Sequence, residues 1–323
     1  MRRNKSLEFG ALKIFATVAG SDSLTHAAQR LGITQSAVSQ ALQQLESQTA
    51  TNLLVRRSRP IKLTQGGQVL RDYAQQVISD NSRILNDVKM AEKGSLSHLS
   101  LGMIDSYSDN IALQFIKAIK PHASKVSLST GLNSSLFEAL NNRDIDILVT
   151  SDLNAHQSKI VCHPILRDPF VVIAPEDGND SLDIHTLAED YPFIHYSPSS
   201  TIGAQTDVVA RRLGIELDTH YELDSTQTLM RFVRGKCGWA IISALCLVRY
   251  PSLLNGIRII NLHEGANARF ITQLSRKNEL GDLPVKFAEI ARQLFVKDVR
   301  PQLTEIAPWL GEQAYSIEKL PMI

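Results

Sequence analysis

Cysteine is scarce in this sequence: Cys162, Cys237 and Cys246 are the only three in 323 residues, an odd number at wide spacing. That argues against a disulfide framework and fits a chain kept in a reducing compartment. No apolar run reaches the roughly 18–20 residues that a membrane span needs. The start, Met1-Arg2-Arg3-Asn4-Lys5, is basic, but Glu8, Lys13 and Thr17 interrupt the residues after it, so the apolar stretch of a signal peptide is missing. A cytoplasmic chain with no membrane partner is therefore expected. Catalytic signatures are lacking too. There is no Gly-x-Ser-x-Gly elbow, no Walker loop, no dinucleotide fingerprint and no His-Glu-x-x-His pair. The nine histidines are scattered. Cys162 and His163, neighbours on a predicted strand, point to opposite faces and cannot chelate one ion. No catalytic residues, no metal and no cofactor are expected. Internal repeats and low-complexity segments are also absent.

What is present is an apolar fraction of 43%, enough for sizeable cores, in a length that suits two or more domains. The net charge of +1 hides an asymmetry. Up to Thr64 nine bases face three acids, a net +6; the remainder carries 25 bases and 30 acids, a net −5. A basic head on an acidic body suggests a polyanion as the partner of the head.

Leu7, Leu12, Phe15, Val18 and Ala19 recur at helical spacing and predict an amphipathic helix from about Ser6 to Gly20. Ser23 or Asp22 can cap a second helix through Ala27, Ala28 and Leu31, which Gly32 closes. Thr34 can cap a third that runs through Leu45. Leu53 to Leu63, with Arg56, Arg57, Arg59, Pro60 and Lys62 between, reads as two short extended pieces around a basic turn, a β-wing. From Thr64 to about Lys93 proline is absent, and Val69, Leu70, Tyr73, Val77, Ile84, Leu85 and Val88 lie on one stripe of a long helix. A helix of that kind usually pairs with a copy of itself. Beyond it, predicted strands and helices alternate to about Val296, implying an α/β architecture with mostly parallel sheets. Val161–Leu166 and Phe170–Ala174 read as two separate strands.

The most informative stretch is Ser21 to Glu46. Ala27 and Ala28 are small where a short helix must pack closely, Gly32 permits a tight turn, and Ile33 is expected to fill the space between helices. In the third helix Val38, Ala41, Leu42 and Leu45 form the inward face. Gln35, Ser36, Ser39, Gln40 and Gln43 occupy the other, with Thr34 at its start. Amides and hydroxyls suit base edges in the major groove, and the wing bases Arg56, Arg57, Arg59 and Lys62 suit phosphates. Periodicity alone would fit a plain helical bundle equally well; the ordered combination does not.

These residues resemble the DNA-binding domain of LysR-type transcriptional regulators. The likeness runs through Leu12-x-x-Phe15-x-x-Val18-Ala19, Ser23-x-x-x-Ala27-Ala28-x-x-Leu31, Ser36-Ala37-Val38-Ser39, Leu45-Glu46, Arg56, Arg59 and Leu63-Thr64-x-x-Gly67. It continues more weakly in Leu140-x-x-x-Asp144-Ile-Asp146-Ile, Pro192-Phe193-Ile194 and Val233-x-x-Gly235-x-x-Gly238-Trp239-Ala240-Ile241. Ala50 departs from the usual glycine after the recognition helix, and Leu54 from the usual phenylalanine.

The resemblance implies an N-terminal all-α winged helix-turn-helix (1–64) and a linker and dimerisation helix (65–94). An α/β domain of two lobes, like that of periplasmic binding proteins, would span 95–298. Lobe I would take 96–167 and 270–298, and lobe II 168–269. The tail at 299–323, with Pro301, Pro308 and Trp309, extends past the family core, and packing against a subunit neighbour is expected of it. The resemblance implies a homodimer or homotetramer on double-stranded promoter DNA, answering to a small-molecule effector, with RNA polymerase as a further candidate partner. Hinge strands are expected near Val161–Pro169 and Ala266–Ile271. Effector contacts are expected where hydroxyl-rich helix starts follow strands: Asp105, Ser106 and Tyr107; Asn133 and Ser134; Ser197 and Thr201; and Thr226. Each of these residue types also serves as an ordinary helix cap. Asp105 raises a further point: either it faces away, or the effector is neutral or cationic.

Three other classes compete. An enzyme lacks its signatures here. A thiol redox sensor of the same family would need a reactive Cys237 or Cys246, but Cys246 stands among Ala244, Leu245, Leu247 and Val248, an apolar setting that makes a thiol inert. A periplasmic binding protein would share the two-lobed body but not the basic head or the missing signal peptide.

Overall fold

The computed structural model describes residues 6–55, 58, 60–91, 95–152, 159–176, 184–262 and 267–320. The chain divides into two compact units, Met1–Ser97 and His98–Ile323.

The first unit is built on α1 (Phe9–Ala19), α2 (Leu24–Leu31) and α3 (Gln35–Thr49). Local chemistry sets their starts. Ser23 Oγ accepts from the His26 N–H and Thr34 Oγ1 from the Ala37 N–H, each satisfying a donor that the first turn leaves free. Gly32 ends α2 at φ +66°, which glycine adopts without steric cost. Leu12, Phe15, Val18, Ala27, Ala28, Val38, Leu42 and Leu45 share one core. Ile33 does not fill it: its side chain is 38% exposed, while its N–H closes the end of α2 on the Ala28 carbonyl. The neighbouring Leu31 packs on the core instead.

The wing is short. Leu54 and Leu63 form an antiparallel bridge, and the Val55 N–H donates to the Lys62 carbonyl at 2.8 Å. Arg56, Arg57 and Arg59 lie outside the described residues. Glu46 Oε1 accepts from the Leu53 N–H at 2.7 Å, tying α3 to the wing. Thr64 donates to the Asn52 carbonyl and accepts from the Gly67 N–H, capping α4 (Gln65–Ala91). A Cβ on Gly67 would stand 2.1 Å from the Leu53 carbonyl oxygen, so the wing approaches α4 at a distance only glycine allows. The Leu63-Thr64-x-x-Gly67 pattern is therefore a joint.

Ala50 ends α3 in the left-handed region at φ +51°, where its Cβ is strained. Ala50→Gly is expected to raise stability by about 1 kcal/mol, read from urea unfolding of the full chain; an unchanged or lower stability would contradict the strain. The predicted stripe on α4 divides in two. Leu70 and Ala74 are buried in the helix-turn-helix core, whereas Val69, Tyr73, Ile84 and Val88 are 50–69% exposed. The Leu85 side chain lies outside what is described.

The second unit runs β1 (Leu99–Met103), α5 (Asp105–Ile119), β2 (Val126–Thr130), α6 (Asn133–Asn141), β3 (Ile147–Thr150) and β4 (Ile160–Pro175). There follow α7 (Ile184–Asp190), β5 (Phe193–Tyr196), α8 (Thr201–Arg212), β6 (Thr219–Leu223), α9 (Thr226–Arg234), β7 (Ala240–Ser243) and α10 (Ala244–Arg249). The chain ends with β8 (Ile257–Asn261), β9 (Ala268–Arg276), α11 (Leu283–Leu294), α12 (Arg300–Ile306), α13 (Pro308–Gln313) and β10 (Tyr315–Ser316).

The sheets are mixed, which corrects the mostly parallel expectation. β1 runs parallel to β2 and β3, but β9 returns antiparallel between β3 and β4. Ile160–Pro169 of β4 pairs with β9 in lobe I; Phe170–Pro175 then pairs with β7 and β8 in lobe II. One 16-residue strand thus crosses both lobes where the sequence reads two. Pro164 and Pro169 interrupt the apolar pattern without ending the strand, and the register slips between Pro164 and Leu166. The second expected hinge strand is the start of β9 at Ala268; Ala266 lies outside the described residues.

Two of the weaker motifs acquire physical reasons. Asp146 accepts from the Ser100 N–H at 2.9 Å and faces the Arg276 guanidinium, which also donates to the Leu140 and Ile145 carbonyls at 2.6 Å each. Gly238, at φ +152°, lies where a Cβ would meet the Pro192 carbonyl oxygen at 2.2 Å, letting Trp239 pack edge-on against Phe193.

The C-terminal segment folds onto its own domain rather than waiting for a neighbour. β10 adds to β4 antiparallel, and the Ile317 N–H donates to the Ile165 carbonyl at 2.8 Å. Arg167 donates to the Gln313 carbonyl at 2.7 Å, and the Gln313 amide donates to Asn261 of β8 at 3.1 Å. Leu303, Leu310 and Ala314 are buried.

Candidate nucleic-acid interface and inter-lobe cavity

Val38, Leu42 and Leu45 anchor α3 in the core and leave its opposite face to solvent. Thr34, Gln35, Ser36, Gln40 and Gln43 are exposed and Ser39 is half-buried. Thr34 is already engaged: it caps the helix and shares a hydrogen bond with Ser36 Oγ at 2.9 Å. The Gln35 side chain lies 3.4 Å from Thr25 Oγ1. Lys62 is exposed on the wing. The residues singled out in the sequence thus form a continuous polar helix face whose donors and acceptors can meet base edges.

The second unit holds a cavity of about 500 Å³ between its lobes, in the size range of small-ligand sites. Of the sequence-predicted effector residues, Asp105, Ser106, Asn133, Ser197, Thr201 and Thr226 line it. Tyr107 does not. It is fully buried in lobe I, and burial pushes its phenol up, so it stays neutral packing material. Ser134 is exposed and also stands off the lining, because it follows Asn133 on α6 and turns outward. The lining residues sit at the N-termini of α5, α6, α8 and α9, whose free N–H groups and dipoles favour negative charge. Serine side chains cap α8 and α9, while α5 and α6 start without a side-chain cap.

Sequence reasoning misses the charged floor. Arg269 of β9, 5% exposed, donates from Nε to Asp168 at 2.8 Å and from Nη2 to Ser106 Oγ at 2.7 Å. Burial is the largest influence and opposes its charge, but the Asp168 carboxylate together with Cys246 and Tyr196 leaves its pKa raised, and the guanidinium stays a cation. Arg249 of α10 lines the cavity too and pairs with Asp109 of α5. That pair joins the lobes, as do the hydrogen bonds from Asn110 to the Leu245 carbonyl and from Gln205 to the Ser151 carbonyl, both 3.0 Å. Tyr196, whose phenol burial and then the Cys246 thiol push up, bonds Thr226 at 2.9 Å. Cys246 is buried as expected, but it also borders the cavity, 3.5 Å from Ser243 Oγ. No pattern of neighbouring sequence marks Arg269 or Asp168; only the antiparallel pairing of β9 with β4, which puts Arg269 opposite Asp168, does.

A winged helix-turn-helix with a polar recognition face, in one chain with a two-lobed α/β domain enclosing a ligand-sized cavity, defines a DNA-binding protein with a small-molecule domain. Comparison with known proteins narrows that class. Residues 9–68 match the family described as "Bacterial regulatory helix-turn-helix protein, lysR family", and residues 92–293 match "LysR substrate binding domain". The chain belongs to the LysR family of DNA-binding transcriptional regulators, whose effector-binding domain is the second unit. It is 26% identical over 255 residues to the transcriptional regulator BudR of Raoultella terrigena, covering 75% of this chain and 87% of that one. Among solved structures it resembles full-length CbnR in complex with its target DNA, at TM-score 0.63 and 18% identity over 89% of this chain and 99% of that one. It also resembles a Corynebacterium glutamicum OxyR C206 mutant, at TM-score 0.57 and 20% identity over 94% and 98%. At these identities the structural likeness is one of fold. Among the described residues no helix is long and apolar enough to cross a membrane.

Proposed function

We propose that this regulator binds promoter DNA as a homodimer or homotetramer, reading bases with Gln35, Ser36, Ser39, Gln40 and Gln43 of α3 and gripping phosphate with the basic wing. A small molecule in the inter-lobe cavity modulates that binding, in the cytoplasm and with RNA polymerase as the downstream partner. The observation that carries the DNA-reading role is the α3 face itself: a row of exposed amides and hydroxyls, free of long charges, on a helix whose other side is locked into the core. The exposed Val69, Tyr73, Ile84 and Val88 of α4 support pairing with a second copy, since such a stripe is costly to leave in water. Two copies imply two half-sites related by approximate dyad symmetry.

The test separates base reading from phosphate gripping. Ser36→Ala and Gln40→Ala are expected to cost about 1–3 kcal/mol on the preferred site and little on random DNA. Lys62→Ala and Arg56→Ala are expected to weaken binding to every sequence and to flatten the salt dependence, each by about one phosphate contact. Fluorescence anisotropy on labelled duplexes reads both. Equal losses on preferred and random DNA for the α3 variants would remove the base-reading role.

A further inference from the structure

The charges around the cavity are sorted in a way that selects a ligand. Its two arginines are already answered from behind: Arg269 by Asp168, and Arg249 by Asp109. Its two carboxylates, Asp105 at the start of α5 and Asp224 just before α9, have no ion-pair or hydrogen-bond partner for their side chains among the described residues. The uncompensated side-chain charge is therefore negative and calls for a cationic group. The same cavity also calls for an anionic one. The Nη1 of Arg269, on a buried side chain, has no hydrogen-bond partner among the described residues, while Nε and Nη2 are used. The N-termini of α5 and α6 open onto the same space with no side-chain cap.

These two demands meet at one place. Arg269 reaches the first turn of α5 through Ser106, the residue next to Asp105. The anion-binding pole and the cation-binding pole are thus consecutive residues of one helix turn, not opposite ends of the cavity. A ligand satisfying both carries a carboxylate and an ammonium on neighbouring atoms. Resting on the reading of this cavity as the effector site, we infer that the effector is a zwitterion of the α-amino acid class. Its carboxylate lies on Arg269, Ser106 and the α5 N-terminus. Its ammonium lies on Asp105, with Asp224 across the cavity adding negative potential. The hydroxyl-rich lobe II wall at Ser197, Thr201 and Thr226 is left to receive the side chain. This also accounts for Asp105 in a cavity ringed by helix N-termini: it rejects simple organic anions that those N-termini would otherwise accept.

The experiment is a binding screen on the full chain, by thermal shift and then calorimetry. The probes are the standard free amino acids, the amines they give on decarboxylation, and the hydroxy acids that replace the ammonium by hydroxyl. The expected result is at least one amino acid that raises Tm, with its amine and its hydroxy acid each binding about tenfold more weakly or worse. Asp105→Asn is expected to lose that preference specifically, binding the amino acid less and the hydroxy acid more, which a damaged fold would not do. Hydroxy acids or amines binding as tightly as any amino acid would overturn the inference while leaving the cavity an effector site. A preference unchanged in Asp105→Asn would overturn the assigned pole. If no probe of any class binds, the cavity reading falls with it.

Discussion

Asp168→Ala is expected to destabilise the second unit by about 3–5 kcal/mol, read as a lower urea midpoint of the full chain at unchanged slope. Asp168 is fully buried where β4 passes from one lobe to the other. One carboxylate oxygen accepts from Arg269 Nε at 2.8 Å and the other from the Leu245 N–H at 3.0 Å, at the start of α10. Removing it strands a buried guanidinium and frees a helix donor at once, and a buried cation without its partner costs far more than an exposed pair could return. The double variant Asp168→Leu with Arg269→Met is expected to be less damaged than either single one, because both desolvation costs leave together. A loss below about 1 kcal/mol in Asp168→Ala would mean that water reaches the pair and that the cavity floor is not closed as described.

Removing residues 300–323 is the second change of large expected effect. The segment supplies Leu303 and Leu310, both fully buried, and strand β10, which covers the edge of β4. Each buried leucine is worth about 2–5 kcal/mol as Leu→Ala. Losing both together with the edge pairing should exceed the margin of an ordinary domain, about 5–15 kcal/mol in all. The truncated chain is expected to lose cooperative thermal unfolding of the second unit and to aggregate through the bared β4 edge. Leu310→Ala, milder and still foldable, is expected to lower stability by about 2–5 kcal/mol. Truncation without loss of Tm would show the segment to be an appendage. Its position argues otherwise: Gln313 touches both Arg167 on the crossing strand and Asn261 of lobe II, so it braces the lobes at their hinge.

What the sequence reveals of this molecule is what short-range chemistry decides. The Ser23 and Thr34 caps and the Gly32 turn depend on residues a few positions apart, and each forms as its local pattern requires. The alternation of α3 between apolar and polar faces is equally local, which is why the exposed polar face of that helix is readable. The cavity is only half readable. Helix starts after strands point to Asp105, Ser106, Asn133, Ser197, Thr201 and Thr226, but one residue of helical rotation decides between lining the cavity and turning into the core or out to solvent. Tyr107 and Ser134 fall on the wrong side of it. Arg269 and Asp168 are 101 positions apart, and their meeting depends on β9 returning antiparallel beside β4. No periodicity encodes that register. The α10 sequence Ala-Leu-Cys-Leu-Val-Arg is apolar almost throughout and gives no sign of its helix, so Arg249 is hidden as well.

The helix-turn-helix of this LysR-family chain is expected to bind specific DNA. Fluorescence anisotropy of the purified full chain, on a duplex from upstream of its own gene and on a random duplex, tests that most directly across a range of salt. The account predicts tighter binding to the upstream duplex at every salt concentration, with both affinities falling steeply as salt rises. Equal affinity for the two duplexes, with and without the standard amino acids, would contradict it.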